Sequence, residues 1–231
     1  MFEALVELFS DSFRKYIFID ADDTLWHDSK YFRVLRSELK NLYPSFETNK
    51  KLNEHLSNVG LGEREFAKAV ESTAIEFGVN SERLKLLNTA IRDFLSHDIE
   101  LLPNVEEALK KMSNYNLILL TKGVEGEQRD KLDRSDLANY FKKIIIVEQK
   151  TPTFFSVLLD HLKINGNEVI VIGNSIRHDI IPALNGGAAA IWLNHPENQY
   201  GSNEAVPGDL CHVDGWSPIL KALESISSNS H

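Results

Sequence analysis

Ile17-Phe-Ile-Asp20-Ala-Asp22-Asp23-Thr24-Leu25 decides how the rest of the 231-residue chain is read. An apolar run, Tyr16–Asp20, ends on three crowded carboxylates. In an open α/β sheet, ligands bind just beyond the carboxyl ends of the strands. Negative charge gathered there is unfavourable unless a cation compensates, and hard oxygen ligands of this kind suit Mg²⁺. A polar strand-to-helix turn with a capping Asp is the plainer alternative, because Asp clusters are common in turns.

Four further runs read as buried parallel strands: Asn116–Thr121, Ile144–Glu148, Glu168–Gly173 and Ala189–Leu193. The Ile-, Leu- and Val-dense ones barely alternate, as expected where helices cover both sheet faces. Helical patterns separate these strands. Asn104–Ser113 follows Pro103, and Thr151-Pro152 opens a helix to about Leu162, with proline at its first position. Ser175 caps a helix that stops at Gly186-Gly187. Alternating strand and helix give a doubly wound, Rossmann-like α/β core.

The interval between the first and second strands breaks this rhythm. Phe66, Val70, Thr73 and Phe77 keep +4, +3, +4 spacing, and Leu84, Leu87, Ile91 and Leu95 keep +3, +4, +4. Both are amphipathic helix stripes, whose usual role is packing. Two more helices are expected around Lys30–Leu42 and Asn49–Asn58. Residues 26–98 therefore read as an inserted small α-helical cap domain, and 1–25 with 99–231 as the α/β core. The polar stretch from Ser225 reads as a frayed tail.

Composition narrows the field. Lys+Arg is 25 against Asp+Glu 34, a net charge of −9, and nucleic-acid binding needs clustered basic residues. A small phosphorylated substrate stays open, since a pocket can be locally positive. Cys211 is the only cysteine, so no disulfide forms within the chain, which fits a reducing compartment. No apolar run approaches the ~18–20 residues of a membrane helix. The start, Met1 to Phe9, lacks a basic region followed by an apolar stretch, so it does not read as a signal peptide. The expectation is a soluble cytoplasmic protein, monomer or homodimer, with neither nucleic acid nor membrane as partner.

The other strand ends strengthen the reading of Asp20. The second ends in Thr121-Lys122-Gly123, a hydroxyl followed by a turn with backbone N–H groups. Lys150 lies beyond the third, and Gly173-Asn174-Ser175 with Asp179 close the fourth. Thr121 could cap, Lys150 could be solvated and Asn174 could form a turn. Packing does not explain why all of them gather at one edge.

With these four motifs in order, the chain resembles the haloacid dehalogenase-like superfamily, chiefly its Mg²⁺-dependent phosphatases with a helical cap after the first strand. The resemblance spans nearly the whole chain. It implies that Asp20 attacks phosphorus to form an aspartyl-phosphate and that Asp22 serves as general acid, then base. It implies Mg²⁺ at Asp20, the Asp22 backbone carbonyl, Asn174 and Asp179, and phosphoryl contacts from Thr121, Lys122 and Lys150. The substrate it implies is a small phosphorylated metabolite. The family commonly has an acid where Asn174 stands, so the metal should bind more weakly here. Asp23, where many relatives have glycine, is expected to support the loop or the metal's surroundings.

Trp26, His27, Tyr31 and Phe32 could line the pocket or form a hydrophobic hinge. His178 should point away from Asp179, as helix neighbours do not share a face. No histidine spacing suggests zinc, and no Gly-x-Gly-x-x-Gly follows the first strand. Three rivals remain. A haloacid dehalogenase would lack the second Asp. A receiver-type phosphoacceptor domain would be much shorter, with no long insertion. A non-catalytic relative rests on Asn174 alone.

Overall fold

The computed structural model describes residues 15–57, 62–78, 80–151, 153–196 and 210–228. The start of the chain and Pro152, both read above, lie outside them. Six parallel strands form one sheet: β1 (Tyr16–Ile19), β2 (Asn116–Lys122), β3 (Lys143–Val147), β4 (Val169–Gly173), β5 (Ala189–Leu193) and β6 (Cys211–Val213). Their order is β3-β2-β1-β4-β5-β6. β1 is central, in register with Asn116–Leu119 on one side and Val169–Ile172 on the other. The five expected strands are present with ends shifted by a residue at most. β6 went unread, because three residues make no apolar run.

Successive side chains along a strand point to opposite faces, and both faces are buried. Ile17, Ile19, Leu117, Leu119, Ile170 and Ile172 pack on one face. Helices α5 (Val105–Lys111), α6 (Glu125–Arg134) and α9 (Ile219–Ser228) contribute to that cluster. Phe18, Ile118, Leu120 and Val171 pack on the other face with α7 (Phe154–Leu162) and α8 (Ile181–Asn185). This is why the strands read as continuous apolar runs. α7 reaches Leu162 as expected but begins after Thr153. The frayed tail is a correction. α9 continues to Ser228, and Ile226 packs against the core.

Between β1 and β2 lie α1 (Ser29–Leu42), α2 (Phe46–Ser57), α3 (Glu63–Glu76) and α4 (Ser81–Leu95). They bury their own cluster, including Leu35, Leu39, Leu52, Phe66, Val70 and Leu87. The α4 stripe needs a correction at its end. Phe94 is buried, whereas Leu95 is 39% exposed. The chain leaves and re-enters the core side by side, with His27 N–H donating to the Glu100 carbonyl and Leu102 N–H to that of Leu25. Among the described residues no helix is long and apolar enough to cross a membrane.

Candidate active site

The strand order sets β3, β2, β1 and β4 side by side, so their carboxyl ends form one edge. After β1 the backbone turns at once. Thr24 and Leu25 N–H both donate to the Ala21 carbonyl, and Asp23 takes a left-handed φ of 55°. Such backbone favours glycine, with Asp among the tolerated substitutes. The Asp23 carboxylate then accepts from Asp28 and Ser29 N–H at 3.0 and 3.1 Å, satisfying donors at the start of α1. His195 Nε2 lies 3.0 Å from the Asp23 carbonyl. Asp23 thus supports the loop.

Asp20 sits against Lys150, whose Nζ lies 2.6 Å from Asp20 Oδ1 and 2.7 Å from Asp179 Oδ1. Asp179 Oδ2 accepts the Ser175 N–H at 3.0 Å, so both of its oxygens are engaged. Gly173 is required for this approach, because a Cβ there would lie 2.5 Å from the Asp179 carboxylate. Burial, reinforced by the Asp179 charge, pushes the Asp20 carboxyl up to about 7, against the pull of Lys150. Burial opposes the Lys150 charge, but Asp179 and Asp20 outweigh it and hold that ammonium above its ordinary value.

Asp22 is held separately. Its Oδ1 accepts from Trp26 Nε1 at 2.9 Å and its Oδ2 from Gln128 Nε2 at 2.7 Å. Lys131 Nζ lies 3.3 Å from Asp22, 2.5 Å from Asp28 and 3.0 Å from Glu63. Burial opposes the charge on Lys131, yet these three carboxylates hold its pKa well above the usual lysine value. Burial and the neighbouring Asp22 push Asp28 up to about 8. Gln128, Lys131 and Asp28 were not among the expected site residues. α6 reads as a charged, solvated helix, and only the +3 spacing of Gln128 and Lys131 places them on one face.

A cavity of about 480 Å³ opens over this edge. Asp20, Asp22, Thr121, Lys122, Lys150, Asn174 and Asp179 all line it. Thr121 Oγ1 donates to Gln128 Oε1 at 3.4 Å. Of Trp26, His27, Tyr31 and Phe32, only Phe32 lines the cavity. Trp26 is fully buried in the core, and Tyr31 stacks on His97 at 3.7 Å. Two expectations are corrected. His178 lines the same cavity as Asp179, in a stretch, Ile176–Ile180, that forms a π-turn and not an α-helix. The Gly123 N–H is not available to a ligand, since it donates to the Val147 carbonyl.

Among the described residues no three His, Cys, Asp or Glu side chains form a metal cage. Two oxygen donors do converge. The Thr24 hydroxyl lies 3.1 Å from Asp20 Oδ2 and 3.4 Å from Asn174 Oδ1, beside a buried surplus of negative charge. Mg²⁺ is commonly held by one or two carboxylates, with water and substrate completing its shell. This oxygen-only set fits it.

The raised carboxyls have a consequence for stability. Unfolded carboxyls ionise near pH ~4, so between there and their folded values the folded chain holds the extra protons. The stability this contributes is complete below pH ~4 and is lost as pH rises through about 7 for Asp20 and about 8 for Asp28. In EDTA the protein should melt at a lower temperature at about pH 8.5 than at about pH 5.5. Thermal scans that show no fall across that range would contradict the charge distribution described here.

The comparisons with known proteins agree with this architecture. The profile described as "Hydrolase: haloacid dehalogenase-like hydrolase" matches residues 14–187. A glyceraldehyde 3-phosphate phosphatase of Methanothermobacter thermautotrophicus is 24% identical, over 92% of this chain and 96% of that protein. Pyrimidine 5'-nucleotidase YjjG of Escherichia coli is also 24% identical, over 80% and 89%. A haloacid dehalogenase-like family hydrolase from Xanthomonas campestris superposes with a TM-score of 0.81 at 24% identity, over 94% of this chain and 98% of that one. With three-quarters of its length matched by the profile, this chain belongs to the haloacid dehalogenase-like hydrolases.

Proposed function

We propose that the protein is a phosphatase that hydrolyses a small phosphomonoester. The observation that carries this reading is the Asp22 carboxylate. It lies two residues beyond Asp20, in the same cavity, and is oriented by Trp26, Gln128 and Lys131. Dehalogenation has no use for a second acid there, whereas an alkoxide leaving group needs a proton. The relatives named as phosphatases and as a nucleotidase support the same choice.

In this reading Asp20 attacks phosphorus and becomes an aspartyl-phosphate. Asp22 gives its proton to the leaving oxygen, then takes one from the water that cleaves the intermediate. Thr121, Lys122 and Lys150 hold the phosphoryl oxygens, with Lys150 fixed by Asp179. Asp20, Asn174 and, as the family resemblance implies, the Asp22 backbone carbonyl would hold Mg²⁺. Bound there, the ion would offset the repulsion between the carboxylate and the phosphoryl oxygens and orient both. Residues 26–98 act as the cap. Glu127 on α6 accepts the N–H groups of Glu63 and Arg64 at 2.9 and 3.2 Å, tying the start of α3 to the cavity wall.

The test is release of inorganic phosphate from phosphomonoesters, p-nitrophenyl phosphate included, with Mg²⁺ and with EDTA, against halide release from 2-haloacids. Phosphate release that requires Mg²⁺ is expected. Halide release without phosphate release would overturn the reading. The neutral Asn174 gives a second expected result. An added ligand charge should tighten Mg²⁺ binding in Asn174→Asp, as read by calorimetric titration. Equal or weaker affinity would show that Asn174 is not a ligand.

A further inference from the structure

Every carboxylate of the cavity wall named above has a partner. Asp22, Asp28 and Glu63 meet Lys131, Asp20 and Asp179 meet Lys150, Asp23 meets the start of α1 and Glu127 meets backbone N–H groups. Two cations of the same cavity, Arg33 and Arg36, meet no carboxylate among the described residues. Arg33 Nη1 donates to Ser29 Oγ at 3.2 Å, and Arg36 Nη1 to Asn53 Oδ1 at a long 3.4 Å. A guanidinium carries five N–H donors, so most of these ten meet no partner among the described residues. Both side chains are half-buried, and desolvation lowers the pKa of Arg36. Keeping two such charges partly buried without a counter-ion is unfavourable, in a chain whose acids outnumber its bases.

Their placement gives them a direction. Ser29, Phe32, Arg33 and Arg36 recur at +3, +4 and +7, so one face of α1 lines the cavity. That face starts at the loop held by Asp23. Arg36 stands about 10 Å farther along the helix than Ser29. Arg36 also lies over the Phe66 ring, 5.6 Å from its centroid, which limits how the guanidinium can turn. Phe32 and Phe66 pack edge-on at 4.9 Å and, with Leu56, give this part of the wall an apolar surface. The cavity therefore joins the carboxylates at the sheet edge, an apolar wall and two guanidinium forks that meet no carboxylate among the described residues.

We propose that Arg33 and Arg36 form an oxyanion subsite, and that the preferred substrate is a phosphomonoester whose leaving group carries a second anion, a carboxylate or a second phosphate. Guanidinium matches either in a bidentate geometry. This inference rests on the phosphatase reading above and sharpens it. The reacting phosphoryl group lies at Asp20, and the second anion lies against α1.

Matched pairs of esters test it. 3-Phosphoglycerate and glycerol 3-phosphate differ by one carboxylate, and glucose 1,6-bisphosphate and glucose 6-phosphate by one phosphate. The first member of at least one pair should have a kcat/KM about tenfold or more above the second. Arg33→Gln/Arg36→Gln should collapse that ratio towards one, mainly through KM. Arg129→Gln, which removes a surface ion pair with Glu125, should leave the ratio in place. The pair that responds tells a carboxylate from a phosphate. Equal rates within both pairs, or a ratio unchanged in the double variant, would overturn the subsite. If no ester is hydrolysed, the phosphatase reading fails, and calorimetric binding of the same esters decides the subsite alone. Tighter binding of the doubly anionic members that needs Arg33 and Arg36 would sustain it, and equal binding would overturn it.

Discussion

Asp20→Asn is expected to lower kcat by about four orders of magnitude or more, the scale seen when a covalent nucleophile is removed. An amide cannot form the acyl phosphate, and no other carboxylate can take its place. Asp22 is held by Trp26, Gln128 and Lys131, and Asp179 by Lys150 and the Ser175 N–H. The same substitution should not weaken the fold. Burial and Asp179 already disfavour charge on Asp20, so neutralising it relieves repulsion in the metal-free protein. Its melting temperature in EDTA at about pH 8 should equal or exceed that of the wild type. A variant that loses activity and also unfolds would mean that Asp20 is needed for folding, and the kinetic result would then say little about catalysis. Residual activity above about a hundredth of wild type would remove Asp20 from the nucleophile role.

Lys150→Met should damage both activity and stability. Lys150 is 5% exposed and binds two carboxylates within 2.7 Å. Methionine preserves much of the volume but leaves Asp20 and Asp179 buried without their counter-ion. Removing one partner of a buried ion pair costs about 3–5 kcal/mol. The loss should depend on pH in a definite direction. Stranded, Asp20 can escape only by taking up a proton, which raises its folded pKa further. The penalty is therefore largest at high pH and shrinks as pH falls towards the ordinary carboxylate range. Denaturant titrations at about pH 8 and about pH 5 should show the larger deficit at pH 8. Adding Asp179→Asn should recover part of the stability without recovering turnover. A variant as stable as wild type at pH 8 would contradict the ion-pair geometry.

The contrast between these groups shows what a sequence discloses. Asp20, Thr121, Lys150 and Asn174 were legible because each sits at or just past the end of an apolar run, and parallel strands carry their carboxyl ends to one edge. The partners of Asp22 were not legible. Lys131 lies 109 positions away, on a helix whose composition reads as solvent-facing. Only the fold carries that helix against the start of α1. The α4 register failed on a local ambiguity. Leu84, Leu87 and Ile91 can be continued by +3 to Phe94 or by +4 to Leu95, and packing chose Phe94. His178 was misplaced because sequence neighbours on different sides of a turn can still line one broad cavity. β6 is too short to carry a pattern, and it exists because β5 offers a free edge. The hydrogen bonds of Asp23 could be guessed only as loop support, since a left-handed residue leaves no periodic mark.

The phosphoryl group itself gives the most direct test of the chemistry. Asp22→Asn removes the base that would activate water, so from an ester whose leaving group needs no proton the aspartyl-phosphate should still form and then accumulate. The variant would be mixed with Mg²⁺ and p-nitrophenyl phosphate, quenched in acid, digested and examined by mass spectrometry. A phosphoryl group on the peptide containing Asp20, labile to hydroxylamine and absent from Asp20→Asn/Asp22→Asn, is the expected result. Phosphate release by the wild type, with no protein-bound phosphoryl group in either wild type or Asp22→Asn, would contradict covalent catalysis by Asp20.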